Sequence, residues 1–286
     1  MRGYFFIIAA AAQWAMIGPF ARLAFQEGVP PMEVAFWRAL LTWFMFAIHA
    51  TIRGETRLKR EDIGFVIVFG LSGVSLFYGA YQMAVKQGGA ALAAVLLYTA
   101  PAWVTVLARI FFREKITLVK LMSLVLTLVG VAAISRAGQA GDGQSISLSA
   151  LLFGLVSGFC YSLYYIFGRH FSGRYSSPNL FLYLLPIGIL GLLPWTTFTH
   201  KSPTAWMALI FLALVSTYGA NFCYYASLKY LEASRASILA TLEPVITVIV
   251  AYFWWQESQS AISLIGCALI LTAVVMVVAE KKTGNS

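Results

Sequence analysis

Residues 81–114 read YQMAVKQGGAALAAVLLYTAPAWVTVLARIFFRE, and residues 224–257 read YYASLKYLEASRASILATLEPVITVIVAYFWWQE. The second stretch repeats the first 143 positions later without a gap, and the identical pairs include Tyr81/Tyr224, Lys86/Lys229, Ala90/Ala233, Pro101/Pro244 and Glu114/Glu257. Internal repetition in an apolar chain is typical of transporters, in which the substrate site lies between two halves that rock against each other. The repeat therefore predicts a duplicated membrane bundle with its functional site between the halves.

A second stretch extends the repeat toward the N-terminus of each half. Its register is 147, matching Phe20 with Phe167, Arg22 with Arg169 and Pro31 with Pro178. A longer loop around residues 53–60 accounts for the four-residue difference between the two registers. The duplication thus covers most of the chain.

The composition excludes a soluble globular protein. Hydrophobic residues make up 60% of the chain, only 11% of the residues are charged, and the mean hydropathy is +0.80. So few charged residues cannot cover the surface of a globular protein. Lipid must therefore cover most of the surface of this protein. The first apolar run begins near Tyr4 and lacks the small-residue cleavage pattern of a signal peptide, which predicts a retained helix.

The basic residues and the cysteines exclude two further classes of protein. The formal net charge is +9, but the basic residues stand at the ends of apolar segments rather than on an aromatic-interleaved face, so we expect no nucleic-acid partner. Cys160, Cys223 and Cys267 each lie in an apolar run without the close Cys/His spacing of a metal site. We expect three free thiols and no metal.

Apolar runs of roughly 20 residues, the length that crosses a bilayer core, occur ten times. Their centres lie near residues 15, 41, 73, 98, 126, 157, 187, 215, 243 and 269, and we number them 1 to 10. If the N-terminus is cytoplasmic, fifteen Lys and Arg residues lie inside and four outside, with Arg38 set aside within the membrane. This bias predicts that both termini are cytoplasmic, and we expect the protein in the bacterial inner (plasma) membrane.

Five segments in each half require the second half to enter the membrane from the opposite side, which predicts an inverted repeat. We therefore expect an all-α membrane protein with ten transmembrane helices, arranged as two inverted five-helix repeats around a central cavity. The predicted first repeat is 1–137, an external Gly/Ser/Gln-rich linker is 138–146, and the second repeat with a short cytoplasmic tail is 147–286.

A proline followed thirteen residues later by a glutamate occurs in both halves, as Pro101 to Glu114 and as Pro244 to Glu257. Together with Arg38 in segment 2 and the sequence Leu242-Glu243-Pro244 in segment 9, this pattern resembles the EamA family of the drug/metabolite transporter superfamily. The resemblance spans nearly the whole chain. It implies a ten-helix transporter of small metabolites, amino acids among them, that often moves its substrate outward.

Glu243 lies near the middle of an apolar segment, where a carboxyl group is costly unless it is protonated, paired or exposed to water. One interpretation is a proton-binding or substrate-amine site that faces the interior of the bundle. The alternative is a structural hydrogen bond beside Pro244, since proline removes a backbone donor and leaves a carbonyl free. The first repeat has Ala100 at the matching place, which favours a specialised role for Glu243.

Arg38 lies about 10 Å into the membrane from the external end of segment 2, at 1.5 Å of rise per residue. A guanidinium group stays charged in a protein, so it requires a carboxylate, carbonyl groups or an anionic substrate. Glu243 and Glu33 are its candidate partners, although Glu33 in the first turn also suits the helix N-terminus. Structural pairing and binding of a substrate carboxylate remain the two interpretations.

Glu114 and Glu257, at helix ends, are read as anchors or gate contacts.

Polar and aromatic residues recur on the segments that should line a cavity. Tyr78, Tyr81 and Gln82 share one helical face, and Tyr218, Asn221 and Tyr225 share a face of segment 8. Such faces suit amphipathic amino acids, nucleobases or flat cations, although packing between helices is the alternative for any single ring. Tyr164 and Tyr224 are also among the aromatic residues of these segments. The candidate substrate-binding residues are Gln13, Trp14, Arg38, Tyr78, Tyr81, Gln82, Tyr98, Trp103, Tyr161, Tyr165, Tyr218, Asn221, Tyr225 and Glu243, with Glu243 also the candidate for proton coupling.

No motif of a membrane-embedded enzyme occurs in the sequence, neither a His-Glu-x-x-His helix nor a Gly-x-Ser-x-Gly elbow nor a Walker loop. We expect no catalytic residues and no cofactor. The prediction is a secondary transporter that exports amino-acid-like or aromatic solutes by alternating access, with proton coupling. The alternative is a facilitative importer or an exchanger of nucleobases or organic phosphates, and an enzyme is a distant third. The expected partners are the lipid bilayer, a small-molecule substrate and protons, and the expected state is a monomer.

Overall fold

The structure is a computed structural model that describes residues 1–137, 147–256 and 259–280, apart from the side chains of residues 90, 91 and 255. The predicted linker, 138–146, lies outside the described residues, as do Glu257, Lys281 and Lys282. Within the described residues, ten helices are long and apolar enough to cross a membrane. Helices 1 to 10 are Arg2–Gln26, Pro31–Arg53, Arg60–Gly89, Leu92–Phe112, Leu118–Arg136, Leu148–Phe171, Ser177–Trp195, Pro203–Ser227, Ala233–Trp254 and Ala261–Ala279.

All ten centres predicted from the apolar runs fall inside these helices. In a membrane the backbone groups must be satisfied within each segment, so apolar runs of this length form helices. The predicted all-α fold with ten membrane helices is therefore confirmed. The relation of the two halves by inversion stays a prediction.

Three of the membrane helices are broken within their span. Helix 1 consists of Arg2–Ala15 and Ile17–Gln26, and helix 9 of Ala233–Ala240 and Leu242–Trp255. In helix 4 a second helical segment, Ala100–Phe112, begins after Tyr98 and Thr99. The breaks in helices 4 and 9 lie 143 residues apart, in the register of the sequence repeat.

Threonine hydroxyls satisfy carbonyl groups at both of these breaks. Thr99 Oγ1 donates to the Leu96 carbonyl at 2.6 Å, and Thr241 Oγ1 donates to the Ile238 carbonyl at 2.5 Å. A side-chain donor of this kind lowers the cost of an interrupted helix in an apolar environment. The same kind of hydrogen bond, from a threonine hydroxyl to a backbone carbonyl, therefore stabilises both breaks.

A second pair of irregularities follows the repeat. Helix 3 contains a π-helical segment at Leu71–Leu76, and helix 8 contains one at Leu214–Gly219. These segments also lie 143 residues apart. A π-helical turn inserts one extra residue into the turn and changes the direction of the side chains that follow, and it occurs often at functional sites.

Helices 5 and 10 approach each other closely at two glycines. A Cβ atom on Gly130 would lie 2.7 Å from the carbonyl oxygen of Gly266, and one on Gly266 would lie 2.6 Å from the carbonyl oxygen of Gly130. Small residues permit such contacts between backbones, on which helix association in lipid depends. This contact joins the last helix of each half.

Salt bridges connect the halves at the two ends of the bundle. At one end Glu114, Lys120, Glu232 and Arg235 form a group that we call the Glu114 cluster, in which Lys120 Nζ lies 2.8 Å from Glu232 and 3.9 Å from Glu114. Arg235 Nε lies 3.3 Å from Glu232. The topology predicted from the basic residues puts this end in the cytoplasm.

At the opposite end Glu33 is fully buried and holds Lys201 in a salt bridge. Its carboxylate also accepts hydrogen bonds from Trp37 Nε1 at 3.1 Å and from Thr199 Oγ1 at 2.7 Å. Glu33 therefore joins helix 2 to the loop between helices 7 and 8. It is not the partner of Arg38 that the sequence suggested as one candidate.

Candidate functional site

A cavity of about 330 Å³ lies among helices 1, 2, 3, 6, 7 and 8, with one residue each from helices 4 and 9. Helices 1 and 9 contact each other at the break in helix 1, where Thr247 Oγ1 is 3.3 Å from the Ala15 carbonyl. The residues that line the cavity are Trp14, Ile17, Ala21, Phe25, Pro31, Val34, Ala35, Arg38, Ala39, Gly73, Val74, Phe77, Tyr78, Tyr81, Gln82, Leu97, Tyr161, Tyr164, Phe181, Leu185, Thr217, Asn221 and Glu243.

Eight of the fourteen residues predicted from the sequence to bind substrate lie in this wall. Both halves contribute, and the set combines aromatic rings, two amides, one cation and one carboxyl group. The eight residues are Trp14, Arg38, Tyr78, Tyr81, Gln82, Tyr161, Asn221 and Glu243.

Three of the remaining six are close to the cavity but belong to other contacts. Tyr98 and Tyr165 line a smaller space beside the break in helix 9, next to Thr241. Gln13 lies one residue before Trp14, yet its amide donates to the Ala9 carbonyl at 3.0 Å rather than lining the cavity.

The other three predicted residues pack elsewhere. Trp103 is 38% exposed on the outside of helix 4 and packs edge-on against Phe159. Tyr218 lies within the π-helical segment of helix 8, and its hydroxyl is 2.6 Å from His49 Nδ1. Tyr225 is buried, with its ring edge-on to another ring of the core.

Arg38 is held from two sides. Its Nε donates to Thr217 Oγ1 at 3.1 Å, and its guanidinium carbon lies 5.7 Å from the centre of the Tyr78 ring. Among the described residues it forms no salt bridge, because Glu33 is engaged by Lys201. A buried guanidinium without a carboxylate partner leaves a positive charge facing the cavity, and such a group is chemically able to pair with an anion.

Glu243 lies in the first turn of the helical segment that begins after the break in helix 9. Its carboxyl group lies near the hydroxyl of Tyr98 and shares the cavity wall with Arg38. The N-terminus of a helix stabilises a negative charge, so the break and the carboxyl group support each other. The side chain is half-buried and lines the cavity, as the argument from an intramembrane carboxyl led us to expect.

Sequence reasoning missed Thr217, which touches both the cavity and Arg38. A single threonine in an apolar run carries no signal of its own, and its place follows from the π-helical segment. Tyr164 was noted only as part of the aromatic group, yet it lines the cavity and donates to Asn221 Oδ1 at 2.7 Å. Phe77 and Phe181 also belong to the wall.

The wall of the cavity combines aromatic rings with a few polar groups. In the described part of the chain, no group of three or more His, Cys, Asp or Glu side chains is placed to hold a metal ion. The cavity instead offers aromatic faces for apolar contact, amides for hydrogen bonds, and one charge of each sign.

Comparison with known proteins gives one consistent result. A family model described as the EamA-like transporter family matches residues 1–136 and 148–279. An uncharacterized transporter of Archaeoglobus fulgidus is 27% identical over 270 residues, which cover 94% of each chain. The uncharacterized transporter YdfC of Bacillus subtilis is 24% identical over 258 residues, 88% of this chain and 83% of the relative.

One solved crystal structure has a similar fold. It superposes with a TM-score of 0.84 over 96% of this chain and 95% of the other, at 17% sequence identity. The match supports the arrangement of the helices and extends across both halves.

Proposed function

Because the chain belongs to the EamA-like transporter family, we propose that it carries amino-acid-like or aromatic metabolites across the membrane by alternating access. The family and the ten apolar helices identify an integral membrane protein of transporter type. The substrate class is our inference from the cavity. The site residues are the eight members of the predicted set that line it.

A single observation supports this substrate class. Arg38 and Glu243 are both in the wall of one aromatic cavity, and no salt bridge joins them in the part of the chain that the structure describes. A zwitterion can satisfy both groups at once, with its carboxylate on the cation and its ammonium on the carboxyl group. The rings of Trp14, Tyr78 and Tyr161 supply a surface for an apolar or aromatic side chain.

The transport cycle extends the same proposal. Export coupled to protons requires a carboxyl group that is accessible from the cavity, and Glu243 meets this requirement. We propose a bacterial inner-membrane location with both termini in the cytoplasm, because the basic residues favour that topology. Two inverted halves would then expose the cavity to each side in turn.

Nucleobases are the second candidate, because the amides of Gln82 and Asn221 both line the aromatic wall. Organic phosphates are a weaker match. A phosphate dianion is usually bound by several cations, whereas Arg38 is the single cation in the described wall of the cavity.

A thermal-shift screen of the purified protein against amino acids, nucleobases, sugar phosphates and aromatic cations tests the proposal without assuming a direction of transport. A ligand that binds only the folded state raises the melting temperature. We expect stabilisation by zwitterionic aromatic compounds, followed by flux of the same compounds in proteoliposomes. Stabilisation by phosphates alone would contradict the substrate class, and nucleobase hits would favour the second candidate.

A further inference from the structure

We propose that the cavity binds the substrate carboxylate on Arg38, and that Thr217 is the residue that positions Arg38 for this purpose. The inference rests on the proposed function and adds to it the residue that sets the preference for a carboxylate. Four features of the structure support it, namely the hydrogen bond to Thr217, the π-helical segment, the orientation of Asn221 and the difference between the two halves.

The hydrogen bond to Thr217 uses Nε, the guanidinium nitrogen of Arg38 that is nearest the backbone. Arg38 Nε donates to Thr217 Oγ1 at 3.1 Å, which leaves Nη1 and Nη2 without a protein hydrogen bond among the described residues. These two nitrogens form the fork that binds a carboxylate through two parallel hydrogen bonds. Arg38 is 9% exposed and lines the cavity, so the fork has little access to water elsewhere.

The π-helical segment Leu214–Gly219 fixes the threonine itself. Thr217 Oγ1 donates to the Leu212 carbonyl, five residues earlier, at 2.8 Å. Since the hydroxyl proton is committed to Leu212, the oxygen is left to accept from Arg38. Thr42, one turn after Arg38 on helix 2, donates to the carbonyl of Ala213, just before this segment, at 3.1 Å and ties helix 8 to the helix that carries Arg38.

Asn221, one turn after Thr217 on helix 8, supplies a second hydrogen-bond donor besides Arg38. Tyr164 donates its hydroxyl proton to Asn221 Oδ1 at 2.7 Å, so the amide oxygen is already occupied. The amide nitrogen, which only donates, is then the group available to a ligand in the cavity. Asn221 and Thr217 are four residues apart and both line the cavity, so the amide and the guanidinium belong to one donor-rich region.

The sequence repeat provides an internal comparison. The residue that matches Arg38 in the 147 register is Leu185, and the residue that matches Thr217 in the 143 register is Val74. Both matching residues line the same cavity and both are buried and apolar. The polar pair on one side thus faces an apolar counterpart on the other, so a carboxylate has one preferred position in an otherwise pseudo-symmetric site.

The test measures the preference for a carboxylate directly. Dissociation constants of L-phenylalanine and of L-phenylalaninol, which replaces the carboxylate by a neutral alcohol, are determined for the purified full-length protein. We expect the wild type to prefer L-phenylalanine. Thr217→Val removes the acceptor in nearly the same volume, and should lower this preference about tenfold, the range for a hydrogen bond to a charged group. The affinity for L-phenylalaninol should change little.

Three variants separate positioning from a general effect on folding. Thr217→Ser keeps the hydroxyl and should restore the preference of the wild type, and Thr217→Ala is measured in parallel in case the valine variant fails to fold. Thr272→Val is the control away from the cavity, because the exposed Thr272 hydroxyl donates to the Ala268 carbonyl of its own helix at 2.8 Å, and it should leave the preference unchanged.

The outcomes distinguish the two proposals. A wild type that binds neither compound, or that prefers the alcohol, overturns the carboxylate assignment together with the proposed zwitterionic substrate. A wild type that prefers the carboxylate, with the same preference in Thr217→Val and Thr217→Ala, overturns the role of Thr217 alone. Equal losses of affinity for both compounds would also overturn it, since a merely structural residue affects both.

Discussion

The Glu114 carboxylate, just after helix 4, accepts a hydrogen bond from the backbone N–H of Ala233, the first residue of helix 9, at 2.8 Å. It also accepts from the Ser234 N–H at 3.2 Å and from the Ser234 hydroxyl. An acceptor from a distant part of the chain thus satisfies donors that a helix N-terminus leaves free. Glu114 is 8% exposed and connects the first half to the second.

Replacement of Glu114 by alanine should destabilise the protein strongly. The change removes the cap of helix 9 and weakens the pairing of Lys120, which is 2% exposed, so we expect a loss of about 2–4 kcal/mol of unfolding free energy. The melting temperature in detergent measures it. Glu61→Ala is the control, because Glu61 pairs with Lys59 at 3.5 Å with most of its side chain exposed. Similar melting temperatures for Glu114→Ala and the control would contradict the anchoring role.

The same cluster gives the protein a pH-dependent stability. Burial raises the pKa of Glu232, but the hydrogen bond and charge of Lys120, together with Arg235, lower it more, so the net pKa lies below the ordinary value of 4.5. A carboxyl group with a lowered folded pKa stabilises the protein above its unfolded pKa, and this contribution is lost as the pH falls through the folded pKa. Stability should therefore decrease below about pH 4.5.

Melting curves between about pH 6 and about pH 3 measure this effect, using Glu232→Gln as the comparison. The glutamine variant should be less stable than the wild type at pH 6, and the difference should shrink toward pH 3. Because Glu232 is 42% exposed, we expect a modest effect. A difference in melting temperature that stays constant over this range would exclude Glu232 as the titrating group.

The contact between helices 5 and 10 makes a prediction about packing. Gly130→Ala would place a methyl group 2.7 Å from the Gly266 carbonyl oxygen, a backbone atom that cannot move without moving its helix. We expect a loss of about 1–3 kcal/mol, as for other overpacked contacts. Gly64→Ala is the matched control, because a Cβ atom there meets nothing within 4 Å. If both alanine variants unfold at the wild-type temperature, the close approach is absent.

Substitution of Glu243 by glutamine tests the proposed proton coupling. Glutamine keeps the size of the side chain and its hydrogen bonding but does not titrate, so we expect substrate binding to persist while transport loses its dependence on pH. Flux in proteoliposomes at several pH values measures this, with Glu27→Gln as the control because Glu27 lies at the exposed end of helix 1 and binds Ser202 at 2.6 Å. Unchanged pH dependence in Glu243→Gln would rule out this residue as the proton carrier.

The apolar pattern of the chain predicts the ten helices well, because the cost of unsatisfied backbone in lipid leaves few alternatives. It also predicts Tyr78, Tyr81 and Gln82 as one face, and all three line the cavity. Regular helical spacing holds there because these residues follow the π-helical segment of helix 3 rather than lying inside it.

On helix 8, α-helical spacing does not predict which side chains line the cavity. Tyr218, Asn221 and Tyr225 were placed on one face by α-helical spacing, but Asn221 alone lines the cavity. The π-helical segment contains Tyr218 and ends at Gly219, so the extra residue in the turn alters the relation between Tyr218 and the residues after it. Spacing within a single helix also does not reveal which face meets a neighbour, and Trp103 accordingly lies on the outside.

The burial of Lys120 bears on how the protein is made. Its ammonium group contacts Glu232, which lies 112 residues further along the chain. At about 5–20 residues per second, a ribosome reaches Glu232 on the order of ten seconds after Lys120. Throughout that interval the newly inserted first half carries a lysine that lacks its closest carboxylate partner. Completion of this contact is therefore a late step of biogenesis, and a nascent chain arrested before Glu232 would present an incompletely neutralised cation to lipid or to the insertion machinery.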